Sequence, residues 1–171
     1  MTKWRHTLIA VVAGMLILGG SAASARGGGD DDVRTRLIGY EEVPAISSSG
    51  KGNFRAEISL RKQELDYRLE YSRLSTPVQQ AHIHFGQFSV NGGISVFLCS
   101  NLGNGPAGTP ACPDAGTVTG TLTAAQVVGP GDQGIDPGEF KELVKAIDAE
   151  IAYVNVHTDK HKGGEIRGQL D

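Results

Sequence analysis

"ELDYRLEYSRL", residues 64–74, decides the fold. Leu65, Tyr67, Leu69 and Tyr71 alternate with Glu64, Asp66, Arg68 and Glu70. A period of two is that of a strand with one buried and one solvated face. Immediately upstream, "GNFRAEISL" (52–60) repeats the pattern with Phe54, Ala56, Ile58 and Leu60, and "RKQE" (61–64) between the two reads as a hairpin turn. A further strand is expected around Arg34–Tyr40, ending at the Pro44 turn. Downstream come "QAHIHFG", "GISVFLC", "TVTGTLT", "AYVNVHT" and "GEIRGQL", each bounded by Gly, Pro, Asn or Asp.

Two segments break the series. "TAAQVVG" offers Thr123 as a helix N-cap and stops at Gly129. "PGEFKELVKAIDAE" spaces Phe140, Leu143, Val144 and Ile147 at helical intervals, with Pro137 near its first turn. About eight short strands without βαβ alternation predict an all-β fold. The expected architecture is an antiparallel Greek-key sandwich or barrel with one or two short helices. Tyr67, Leu69, Ile83, Val154, Val156 and Ile166 are its expected core.

The N-terminus carries a compartment signal. "MTKWRHTLIAVVAGMLILGGSAASA" has Lys3 and Arg5, an apolar run from Leu8 to Leu18, and then the small residues Ala23-Ser24-Ala25. This is the layout of a signal peptide cleaved after Ala25. The run falls short of the roughly 20 apolar residues that span a bilayer. No cysteine follows it at which a lipid could be attached. The mature chain is therefore expected in the periplasm or secreted, with no membrane anchor after cleavage. Residues 26–33, led by "RGGGDDD", are expected to be a disordered linker, and residues 34–171 the domain.

Removing residues 1–25 from 171 leaves 146 residues, enough for one domain with a core. Two of the 16 basic residues leave with that segment and none of the 19 acidic ones, so the mature chain carries 14 against 19, a net −5. That balance argues against nucleic acid as a partner, which wants a basic stripe. It offers no polybasic patch for an anionic membrane. Cys99 and Cys112, the only cysteines, are expected to pair in an oxidising compartment, closing "CSNLGNGPAGTPAC". Such a staple contributes about 3 kcal/mol in the chain-entropy model.

The mature chain has four histidines. In "AHIHF", Ala81, Ile83 and Phe85 form the apolar face, which puts His82 and His84 on the other. In "AYVNVHT", Ala152, Val154 and Val156 oppose Tyr153, Asn155 and His157. A hairpin around "TDKHKGG" would set His157 opposite Glu165, Asn155 opposite Arg167, and Tyr153 opposite Gln169. The face away from the core thus collects a polar cluster: Tyr153, Asn155, Arg167, Gln169 and three imidazoles.

The motifs "GYEEVP", "AHIHFG", "TGTLTAAQV", "YVNVHT" and "GEIRGQL" resemble, in order, those of the CHRD domain, named after chordin. The resemblance runs from about Arg36 to Leu170. It implies an extracellular or periplasmic β-rich module with no assigned catalytic activity. More loosely, "HIHFG" and the later "NVHT" are similar to the copper side of Cu/Zn superoxide dismutases. There His82, His84 and His157 would match three copper ligands. No histidine lies between His84 and His157, so a bridging ligand and a zinc loop have no counterpart.

Three neutral imidazoles suit one Cu or Zn ion and leave a coordination position open. Glu165 would be a fourth ligand or a carboxylate orienting an imidazole, and His161, between two lysines, a solvated loop residue. Unperturbed histidines would release the ion as pH falls through about 6.5. Paired imidazoles on a strand also serve simply as hydrogen-bonding fillers. "DQGIDPGEFKEL" (132–143) lacks the central glycine and terminal glutamate of a calcium loop. No phosphate-cradling glycine motif and no G-x-S-x-G elbow is present. Two functions remain open. One is a non-enzymatic exported module binding an extracellular protein or polysaccharide through the polar face. The other is a metalloenzyme, with dismutase-like, other redox or hydrolytic activity at the three histidines.

Overall fold

The structure, a computed structural model, describes Met1 and residues 31–171. The expected signal peptide and the first part of the expected linker lie outside the described residues.

Eight strands form one antiparallel sheet: β1 (Asp31–Ile38), β2 (Lys51–Ser59), β3 (Glu64–Ser72), β4 (Val78–Phe85), β5 (Gly93–Ser100), β6 (Gly116–Leu122), β7 (Ala152–Thr158) and β8 (Ile166–Gln169). Their order is β5-β4-β7-β8-β1-β2-β3-β6. The two edge strands, β5 and β6, approach each other and make the sheet a nearly closed barrel. Every strand expected from the sequence is present. β1 begins earlier than expected. Asp31, Asp32 and Val33 pair with Ile58, Glu57 and Ala56 of β2, so that end of the expected linker is ordered by a ladder its composition does not announce.

The alternation that reads as a strand becomes the barrel wall. β2 and β3 bury every second side chain, and Phe54, Ile58, Leu65, Tyr67 and Leu69 line the interior. The expected core residues Ile83, Val154, Val156 and Ile166 are fully buried in the same cluster. The Tyr67 hydroxyl, deep in this core, donates to the Leu98 carbonyl of β5 at 2.5 Å. That bond ties β3 to the far edge of the sheet. Cys99 and Cys112 are joined by a disulfide, anchoring the Gly/Pro-rich loop to β5.

The helical segments come out unequal. Thr123 caps only a single 3-10 turn, Ala124–Gln126, with Gln126 completing a capping box. One α-helix, α1 (Phe140–Asp148), adds Phe140, Leu143, Val144 and Ile147 to the core. Pro137 lies in the turn just before it, near its first turn as expected.

The wall has two kinds of strand. On β1, β2 and β3 the outward side chains meet solvent. On β7 all seven residues are buried, and β4 and β8 are buried over most of their length. These three neighbours therefore have a second covered face, and there the polar cluster lies.

Candidate metal centre

The cluster is built by strand pairing. In the register of β4 with β7, His82 stands opposite Asn155, His84 opposite Tyr153, and Gln80 opposite His157. β8 adds Arg167 opposite Asn155 and Gln169 opposite Tyr153, as the hairpin reading expects. On the other side of β4, Phe97 of β5 stands opposite His82. Two irregularities in the β4–β5 pairing, between Ala81/His82 and between Ile83/His84, interrupt that ladder where the histidines stand.

The three imidazoles converge. The ligand atoms of His82, His84 and His157 all lie within 4.8 Å of one another, and no carboxylate or thiol belongs to the group among the described residues. His82 Nδ1 and His157 Nε2 face each other at 3.1 Å. Two donors of one ion, bound at about 2.05 Å with an angle near 100°, would stand about that far apart. His84 Nδ1 donates to the Gly92 carbonyl at 2.9 Å and His157 Nδ1 to the Lys162 carbonyl at 2.9 Å. Carbonyls only accept, so both rings carry their proton on Nδ1 and present a bare Nε2 lone pair. His84 Nε2 and His82 Nε2 are buried without a hydrogen-bond partner. An orphaned buried acceptor is costly and calls for a partner, such as an ion or a water.

The polar face is not wet. His82, His84 and His157 are 0, 7 and 6 % exposed, and Tyr153, Asn155 and Arg167 at most 2 %. The sequence reading of an open polar sheet face is corrected accordingly: three loops cover it. The 86–92 loop is tied down by Arg167 donating to Gln87 O, by Gln169 donating to Gly86 O, and by Gly92 N–H donating to the Tyr153 hydroxyl. Asn91 donates to Val43 O and so joins that loop to the 39–50 segment. The third loop reaches the site through Lys162. Gly92 makes this closure sterically feasible. A Cβ there would lie 1.7 Å from the Phe85 carbonyl oxygen, so no other residue allows so close an approach.

Burial sets the electrostatics. His82 is held far below its ordinary range by desolvation, and then by the His157 and His84 rings. His84 is lowered to about 4 by desolvation, against the pull of the Gly92 carbonyl, and His157 is lowered by desolvation too. All three are neutral, the form that binds metal. Tyr153 stacks on His84, with 4.8 Å between centroids and 5° between planes. The Arg167 guanidinium also lies over the Tyr153 ring, 3.4 Å from its centroid. Phe97 meets His82 edge-on at 4.5 Å.

Glu165 does not join the cluster. It precedes β8, leaves the strand alternation, and accepts from Ser48 Oγ, Ser75 N, Ser75 Oγ and Thr158 Oγ1. Those bonds occupy both carboxylate oxygens and hold its pKa below the usual value despite burial. Its role is to lock the 48 and 75 loops to β7, and neither part expected of it at an ion is filled. His161 stands outside the group, as its loop position suggests. Glu42, unremarked in the sequence beyond its place in "GYEEVP", is buried at 5 % exposure, and desolvation raises its pKa to about 7 against the pull of Arg167. An adjacent pair of glutamates before a proline carries no spacing that would have singled it out. Gly92 and Phe97 were equally silent.

Fold and site together define a nearly closed antiparallel β-barrel with a buried three-histidine cluster on its covered flank. The chain belongs to the CHRD domain family, whose model matches residues 33–170. No curated protein and no solved structure matches it significantly. Family membership supports a binding module. The disulfide fits an exported protein, and no helix among the described residues is long and apolar enough to cross a membrane.

Proposed function

We propose that this CHRD domain is an exported metal-binding module that holds one transition-metal ion, copper or zinc, at His82, His84 and His157. The supporting observation is the convergence of three neutral imidazole donors within 4.8 Å, two of them oriented by backbone carbonyls. Such outer hydrogen bonds fix the tautomer and raise the basicity of a ligand ring. An ion would replace the proton shared by His82 and His157. Export follows from the N-terminal segment, with cleavage after Ala25, and mass spectrometry of the exported protein should find a chain starting at Arg26.

Metal analysis of the untagged protein tests the assignment. One equivalent per chain is expected, lost in His82→Ala, His84→Ala and His157→Ala and kept in His161→Ala. Full occupancy in the double variant His82→Ala/His84→Ala would place the metal elsewhere. The redox or hydrolytic reading is the less favoured one, because donors this deeply buried leave little surface for a substrate to reach. An extracellular protein or polysaccharide partner would meet the exposed charged face of β1–β3, not the covered polar one.

A further inference from the structure

The donor set bears on the charge of the ion, an inference that rests on the cluster being a metal site. Every donor is an imidazole, which binds a metal in its neutral form and brings no negative charge. Neither of the two buried carboxylates nearby belongs to the ligand group. Glu165 is consumed by Ser48, Ser75 and Thr158, and Glu42 interacts with Arg167. The one strong charge stacked against the site is positive: Arg167, 1 % exposed, lies over the same Tyr153 ring that stacks on His84. On the remaining side His82 meets the apolar Phe97.

An ion entering this site keeps its whole charge, because no ligand neutralises it. The cost of moving an ion from water into a low-dielectric interior grows with the square of its charge, so a divalent ion loses about four times as much solvation as a monovalent one of similar size. Zinc recovers that cost with anionic ligands or with a fourth ligand such as water. Here three neutral donors converge under a closed cover, and the nearby guanidinium opposes further positive charge. Among ions that imidazole binds well, copper has an accessible monovalent state, whose lower charge leaves less solvation to be recovered from a fourth ligand.

We propose that the site is selective for Cu(I), held three-coordinate by His82, His84 and His157. The test uses the untagged, exported protein under anaerobic conditions. It is titrated with Cu(I) against bicinchoninate, and separately with Zn(II) and Cu(II) against chelators of known affinity. X-ray absorption then reads the coordination number. One Cu(I) per chain is expected, with three nitrogen scatterers and no fourth light atom, bound at least about 100-fold more tightly than Zn(II). His84→Ala, checked for folding by circular dichroism, should lose that binding. Zn(II) or Cu(II) bound as tightly as Cu(I), or a four-coordinate Cu(I) centre, overturns the selectivity while leaving a metal site in place. If none of the three ions binds, the metal reading fails and the selectivity with it.

Discussion

At the scale of the residue, burial governs the histidines more than their neighbours do. Desolvation is the first cause of the lowered pKa of His82, His84 and His157 alike. A lowered histidine pKa means that the unfolded chain takes up protons as pH falls through about 6.5 while the folded chain does not. Stability is then fully present above the unfolded value and declines by roughly 1.4 kcal/mol per pH unit per histidine until the folded value is reached. Glu42, raised to about 7, acts in the opposite sense and destabilises as pH rises from its ordinary value toward 7. Three groups outweigh one. Metal-free protein should therefore lose stability steadily between pH 6.5 and about 4, as read from urea midpoints; a flat profile would mean hydrated, unperturbed rings. Proton competition for the ligands moves down as well, so metal should be retained at pH 5.5, below the threshold expected of unperturbed histidine. Gly92→Ala should push the 86–92 loop away from Phe85 and with it the carbonyl that orients His84. A loss of about 10–100-fold in metal affinity, with the barrel still folded, is expected; unchanged affinity would show that the carbonyl does not orient the ring.

The strands differ in how many faces they bury, and mutations should report it. Ile83 on β4 is fully buried in the barrel interior. An unpaired carboxylate there costs several kcal/mol, enough to consume most of a domain's stability, and Ile83→Asp should leave the chain unfolded by circular dichroism. Arg68 on β3 faces outward, in register with Arg55, which is itself in register with Arg34. Arg68→Asp gives up an exposed pair with Glu70 but replaces a like-charge neighbour of Arg55 with an opposite one. Both effects are under about 1 kcal/mol and they oppose each other, so the variant should melt within a few degrees of the parent. A collapse of Arg68→Asp would show that this face is covered after all.

For the molecule as a whole, the barrel is left without strand pairing between β5 and β6. β5 and β6 end the sheet, and the long connection between them carries the 99–112 disulfide. Asn101 bridges the same loop, donating to Val78 O and Cys112 O and accepting from Cys112 N. Cys112→Ser should lower stability by about 2–4 kcal/mol through the freer unfolded chain. The far-ultraviolet spectrum and metal stoichiometry should stay unchanged, because the histidines stand on β4 and β7, in the interior of the sheet order. Loss of metal in this variant would mean that the loop supports the site directly.

Local pattern alone determined which segments are strands, which of their faces is apolar, and that His82, His84 and His157 share the opposite parity. Side chains alternate along a strand whatever it pairs with, and the two cysteines had only each other. Neither the pairing of β4 with β7 nor the cover over their second face is local. The apolar parity of "AHIHF" reads the same whether water or a loop lies on its other side, which is why the polar cluster looked like an open surface. Glu165 looked like a ligand because parity was extended to the residue before β8 begins, where the chain is free to turn toward Ser48 and Ser75. The buried glutamate at 42, the glycine whose missing Cβ admits a loop, and the stack of Arg167 on Tyr153 on His84 were decided only in three dimensions. Each depends on atoms brought together from distant parts of the chain, and so does the burial of three imidazoles side by side.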